Sequence, residues 1–194
     1  MLGLGWPKSI SSNGGIYVDN KGKSNIADTQ NAVFAYDGIE CVWQHRTWGN
    51  PADPDYPWAF KIYGDKGTLS CDVWKYDFTP VGDGKKLHGD LLWEKEKYPE
   101  DLTEPDIELH VASATRRHML NFLEAIDKGI RPVADIEQGH ISTASCIIAN
   151  LAMQLQRPLS YDPVKRIITG DEEATKLLQR QYRPPWQHPF PWNV

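Results

Sequence analysis

The stretch Asn31-Ala32-Val33-Phe34-Ala35-Tyr36-Asp37-Gly38-Ile39-Glu40-Cys41-Val42-Trp43-Gln44-His45-Arg46-Thr47-Trp48 decides the fold. Two runs rich in β-branched and aromatic residues flank Asp37-Gly38, the strongest short-range signal for an antiparallel hairpin. Strands are therefore predicted over residues 31–36 and 39–48. Side chains alternate between the faces of a strand. In the second run one parity carries Ile39, Cys41, Trp43, His45 and Thr47, and the other Glu40, Val42, Gln44, Arg46 and Trp48. The first face is core-like at its start. The second mixes Val42 and Trp48 with polar groups, which suits a partner or ligand rather than bulk water.

Outward from this hairpin the same signals recur. A second hairpin is predicted over residues 58–63 and 68–74, across Gly64-Asp65-Lys66-Gly67, with further strands over 74–79 and 90–96. Ser11-Ser12-Asn13-Gly14-Gly15 reads as a polar loop, either solvated or at a domain cleft. The second half is helical. Ser113 is the expected N-cap of a helix with Met119, Leu120, Phe122, Leu123 and Ile126 on its apolar face, ended by Gly129. Asp135 and Gln138 resemble a capping box and open a helix whose stripe runs Ile141, Ala144, Ile148, Leu151, Ala152 and Leu155, closed by Pro158. A short strand over 159–161 and a helix capped by Asp171, with Ala174, Leu177 and Leu178 inward, complete the pattern. Strands followed by helices define an α+β fold, a largely antiparallel sheet with helices on one face. Residues 1–183 form the predicted domain, and 184–194 a Pro- and aromatic-rich tail, extended and docked on something.

Composition narrows the function. The net charge of −5, with no basic cluster beyond Lys85-Lys86 and Arg116-Arg117, argues against nucleic acid. No apolar run reaches the roughly 18 residues that a membrane helix needs, and Met1 to Pro7 lacks the basic flank of a signal peptide. Cys41, Cys71 and Cys146 sit among apolar neighbours and are expected as reduced, structural thiols. The 8 tryptophans suggest core filling, a carbohydrate-like ligand surface or a protein interface.

Dedicated chemical motifs are sparse. Gly3-Leu4-Gly5 lacks the third glycine of a dinucleotide loop and runs into Pro7. The histidines are never four residues apart, so no metal ligand set is expected. His45-Arg46-Thr47-Trp48 precedes an irregular Gly/Pro/Asp segment, and Arg beside aromatics suits hydroxyl- or carboxylate-bearing ligands. Arg46 pairing with an Asp across the sheet is the alternative. Arg116-Arg117-His118 in a first helical turn points to a salt bridge or an anionic ligand. Gly139 inside a helix suggests a close helix-to-sheet approach, with His140 beside it in the core or at a cleft.

Taken in order, Ser11 to Gly15, Asp28-Thr29-Gln30, Trp43 to Gly49, Tyr63 to Leu69, Arg131 to Asp135 with Gly139-His140, and Gly170 to Trp186 resemble the carboxy-terminal domain of the glucose–fructose oxidoreductase / inositol dehydrogenase (Gfo/Idh/MocA) family. The resemblance implies an open-faced sheet, with helices on one side and the other face lining a substrate cleft and an oligomer interface. It implies a parent enzyme in which an amino-terminal Rossmann domain binds NAD or NADP and supplies a catalytic Lys and His. None of these motifs is in this sequence, so no catalytic or cofactor-binding residue is expected in the chain, which would be inactive alone. His45, Arg46, Trp48 and His140 are the expected substrate contacts, the substrate a sugar, cyclitol or related polyol, and the assembly a homo-oligomer. A free-standing carbohydrate-binding or dimerisation module is the other class of function left open.

Overall fold

The computed structural model describes residues 3–179 and 182–187, except the side chain at 109. Two compact units are present: Met1–Gly49 with Ala134–Val194, and Asn50–Val133.

In the first unit β1 (Ser9–Gly15), β2 (Thr29–Ala35) and β3 (Glu40–Arg46) form an antiparallel sheet in that order. The predicted β2–β3 hairpin is present. Gly38 takes φ +72° in its turn, a left-handed value that glycine adopts without steric cost, and Tyr36 N–H closes the turn on Ile39 O at 2.9 Å. Directly opposed residues share a face, so the register Ile10↔Phe34↔Cys41, Ser12↔Ala32↔Trp43 and Gly14↔Gln30↔His45 defines one side. On that side Ile10, Ala32 and Phe34 pack with Ile148, Ala149, Leu151 and Ala152 of α2 (Ile136–Leu155). Each Ile or Leu so buried contributes about 1.5–3 kcal/mol. The Asp135 side chain caps α2 by accepting from the N–H groups of Glu137 and Gln138. Leu159 bridges to Ile10, then β8 (Tyr161–Asp162) pairs with β9 (Ile167–Ile168), and α3 (Glu172–Leu177) follows its Asp171 cap.

In the second unit β4 (Phe60–Gly64), β5 (Gly67–Cys71), β6 (Lys75–Pro80) and β7 (Leu87–Asp90) form an antiparallel meander. Its pleat separates Phe60, Ile62, Leu69, Tyr76, Phe78 and Leu87 from Lys61, Ser70, Lys75, Asp77, His88 and Asp90. A 3₁₀ turn (Pro99–Leu102) precedes α1 (Leu109–Lys128), which ends at Gly129 as predicted.

The antiparallel, sheet-and-helix class holds, with the ladders shared among three sheets. Several local expectations do not. Ser11 to Gly15 is strand, not loop, because pairing with β2 supplies what its composition lacks. The last strand lies at 87–90 rather than 90–96, since its partner β6 begins at Lys75, opposite Asp90. Ser113 is inside α1, and its hydroxyl donates to Leu92 O at 2.9 Å instead of capping. The α1 stripe Met119, Leu120, Phe122, Leu123 and Ile126 is exposed, as is Leu177. Cys41 and Cys146 are exposed rather than core hydrophobes. Trp43, Trp48, Trp58, Trp74, Trp93 and Trp186 are all exposed, so core filling does not explain the tryptophan content. A side chain at Gly139 would meet open space, so close approach does not explain that glycine. Residues 188–194 of the tail lie outside the described residues.

Candidate functional site

The register places Thr29 opposite Arg46 at the end of the β2–β3 ladder, on the face away from α2. There the chain turns back, with Thr47 N–H donating to Asp28 O at 3.0 Å. The turn lays the Trp48 indole beside the sheet, its Nε1–H donating to Thr29 Oγ1 at 2.8 Å. The Arg46 guanidinium sits 6.0 Å from the centroid of that ring. Thr29 in turn donates to Asp28 Oδ1 at 2.8 Å. The buried Asp28 carboxylate also accepts from the backbone N–H groups of Tyr17, Val18 and Asp19 at 2.8–3.1 Å. The bond from Tyr17, then that from Asp19, hold this carboxyl well below the usual carboxylate range. One acid therefore fixes the segment after β1, the threonine and, through it, the tryptophan. The resulting platform is an arginine over an indole at the rim of an open sheet, suited to a ligand rich in hydroxyl or carboxylate groups.

The other expected contacts lie elsewhere. His45 shares the α2-facing side with Trp43, their rings stacked at 6.5 Å and 15°. In the same row Gln30 donates to Ser12 Oγ and Asn150 Oδ1 at 3.1 and 3.0 Å. His140 stands edge-on to Trp6 at 5.4 Å, and Trp6 leans on Tyr161 at 4.7 Å. A Cβ on Gly14, in the row of His45, would meet Met153 near the carboxyl end of α2. His140 lies 13 residues earlier (153 − 140), roughly 20 Å along the helix axis. The structure thus brings Arg46 and Trp48 together and sets His45 and His140 apart from them. Arg116 meets Asp101 at 2.7 Å and lies 3.5 Å over the Tyr98 ring, which is the salt-bridge outcome.

A second polar constellation escapes motif reading. On the polar face of the four-stranded sheet, Asp77 accepts from the Tyr56 phenol and lies 2.7 Å from His88 Nδ1. His88 Nε2 faces Asp90 Oδ1 at 3.2 Å. The bond to Asp77 raises the His88 imidazole above its ordinary value; the Tyr56 and His88 bonds lower Asp77; burial first, then Asp77, raises the phenol. Asp53, Asp55, Ser70 and Thr79 line a groove of about 370 Å³ beside it. The alternation in Lys75-Tyr76-Asp77-Phe78-Thr79 was its only trace in sequence, since it predicts a shared face but not the residue opposite.

The described residues form antiparallel sheets with few helices, a mixed α/β architecture. Residues 96–188 match the family model described as "Oxidoreductase family, C-terminal alpha/beta domain", that of the Gfo/Idh/MocA proteins. An oxidoreductase from Agrobacterium radiobacter, solved with NAD+, L-tartaric acid and magnesium, shares the fold at a TM-score of 0.59 and 12% identity, over 81% of this chain and 44% of its own. The YvaA protein from Bacillus subtilis gives 0.49 at 11% identity, over 81% of this chain and 45% of its own. An aldose-aldose oxidoreductase from Caulobacter crescentus complexed with glycerol gives 0.46 at 12%, over 80% and 42%. The chain spans less than half the length of each. No curated protein matches it.

Gly3-Leu4-Gly5 leads through Trp6-Pro7 into β1, and among the described residues the first α-helix begins only at Leu109. The helix N-terminus that holds a pyrophosphate in a dinucleotide fold is missing from this glycine segment. Among the described residues no helix is long and apolar enough to cross a membrane.

Proposed function

We propose that this chain is the substrate-side and assembly domain of an NAD- or NADP-dependent oxidoreductase acting on a sugar, cyclitol or related polyol. The observation that carries this reading is the Arg46–Trp48 platform on the open face of the β1–β3 sheet, held by Thr29 and Asp28. Hydride chemistry belongs to the cofactor, and the Lys and His that would handle the hydroxyl proton belong to the family's Rossmann half. This chain's share is to bind and orient: the guanidinium brings positive charge to a hydroxyl or carboxylate, and the indole face covers a ring or carbon chain. The Agrobacterium relative, complexed with the hydroxy acid L-tartaric acid, supports a ligand of this chemistry. Val42, exposed in the same face as Arg46, gives the assembly surface an apolar element.

Calorimetric titration of the purified chain tests the reading. L-Tartrate or a polyol is expected to bind weakly, with loss of binding in Arg46→Gln and in Trp48→Ala, and neither NADH nor NADPH is expected to bind. Saturable nicotinamide binding, or tartrate binding indifferent to both substitutions, overturns it.

A further inference from the structure

His88 presents both ring nitrogens to carboxylates, Nδ1 to Asp77 at 2.7 Å and Nε2 to Asp90 at 3.2 Å. A neutral imidazole has one N–H and one lone pair, so it can donate to only one of the two, and its lone pair would then face the other oxyanion. Only the imidazolium satisfies both contacts. The arrangement follows from the ladder. Asp77 of β6 and His88 of β7 are direct cross-strand partners, and Asp90 is the next residue on the same face of β7. Among the described residues β7 is an edge strand, with β6 as its single sheet neighbour. Asp77 also receives the Tyr56 phenol, so the residue that clasps the edge strand also seats the 50–57 segment.

We infer that His88 is a protonation-controlled clasp on the β7 edge. Charged, it ties β7 to β6 and completes the Tyr56–Asp77–His88–Asp90 chain; deprotonated, it loses one carboxylate, and the edge strand opens more often.

The charges around it are mixed, and the two carboxylates bonded to the ring prevail over desolvation and the nearby lysines. On β6, Lys75 lies on the same face as Asp77 and 4.7 Å over the Tyr56 ring. From the loop, Asp53 is bound to Lys61 of β4 at 2.5 Å, while Asp55 and Lys86 line the groove beside the ring. The carboxylates nearest the imidazole are Asp77 and Asp90, and the bond to Asp77 is the largest influence raising its pKa. A group whose folded pKa is raised contributes fully below its unfolded value, about 6.5 for His, and that contribution is lost as pH rises through the folded value. Loosening is therefore a neutral-to-alkaline event. His88, Asp77 and Asp90 are each about half exposed or more. Solvent-screened contacts of this kind act weakly, so local opening of the edge reports the clasp better than global unfolding does.

Imidazole ¹⁵N shifts of the intact chain, recorded from pH 5 to 9 with amide exchange of β7 referenced to the central strand β5, test this. His88 is expected to titrate above 6.5, with both ring nitrogens protonated below its midpoint. Over that interval the β7-to-β5 exchange ratio should rise on the order of 5-fold. Asp90→Asn should lower the midpoint, and His88→Gln should abolish the step. A His88 that titrates at or below 6.5, or a ratio that stays flat through the titration, overturns the proposal. Both are read in the unmutated chain, whatever the folding of the variants.

Discussion

The indole N–H of Trp48 donates to Thr29, and the Thr29 hydroxyl donates to Asp28, each at 2.8 Å. The threonine therefore uses its oxygen as acceptor and its hydrogen as donor, and it fixes an exposed aromatic through a buried carboxylate. Thr29→Val keeps the shape and β-branching but removes both bonds. Trp48 is 41% exposed and finds water in exchange, whereas the buried Asp28 carboxylate does not, so the expected loss is about 2 kcal/mol, the scale of one hydrogen bond to a charged group. Urea denaturation measures that loss. Disappearance of the downfield Trp48 indole proton resonance, with the other indoles unmoved, reports release of the platform.

Asp28 gathers the Tyr17, Val18 and Asp19 N–H groups, and these bonds depress its pKa. A depressed carboxyl contributes stability above its unfolded value, near 3.9, and loses it as pH falls through the folded one. Asp28→Asn is then less stable than the parent at pH 7, since its amide group offers one acceptor oxygen where the carboxylate offers two. The difference should shrink as the parent's own carboxyl protonates at acid pH. Denaturation midpoints from pH 7 to 2 check this, and parallel curves at all pH values would contradict it.

In the helix–sheet layer Ile148 is 1% exposed and packs among Ile10, Phe34, Leu159 and Ile168. Removing its branched side chain leaves a cavity that a rigid sheet on one side collapses poorly. Ile148→Ala should cost about 3 kcal/mol, within the usual range for such truncations. Ile147, the next residue, points outward at 50% exposure. Its truncation should stay within about 0.5 kcal/mol. Paired chemical denaturation of the two variants tests the helix phase directly.

What the sequence disclosed follows from where its information is local. Asp37-Gly38 announces a turn whose geometry depends on those residues alone, and Asp135 caps α2 through N–H groups two and three positions on. The parity of β3 was readable for the same reason: Cys41, Trp43 and His45 do share the α2 side, and Val42 and Arg46 the open one. Ser9–Gly15 was not readable, because Ser, Asn and Gly carry little strand preference and this strand exists through its partner β2. The clasp was hidden for a related cause. Asp77 and His88 are 11 residues apart, and only the register of β6 and β7 makes them neighbours. In the candidate site, Arg46 and Trp48 flank a turn and could be paired by reading, whereas the bond to Thr29 spans 19 residues.

Gly14 offers a sharp test of how the misread strand is held. A Cβ there would lie 2.1 Å from Thr29 O and 2.9 Å from both Gln30 Cα and Met153 Sδ. The first two are backbone atoms of the paired strand, so they cannot yield without displacing the ladder, while Met153 closes the remaining side. Glycine is thus required by close approach of two strands under a helix, not by a loop's need for freedom. Gly14→Ala should cost more than the roughly 0.5–1 kcal/mol that alanine for glycine normally returns in a strand, and with the opposite sign. The disturbance should centre on Thr29 and Gln30, and so reach Trp48 through its bond to Thr29. Gly139→Ala is the control. It sits within α2 with open space around it, so it should stabilise the chain by up to about 1 kcal/mol. Opposite signs in thermal denaturation would place both glycines correctly, and a neutral Gly14→Ala would mean that β1 does not approach β2 as closely as described.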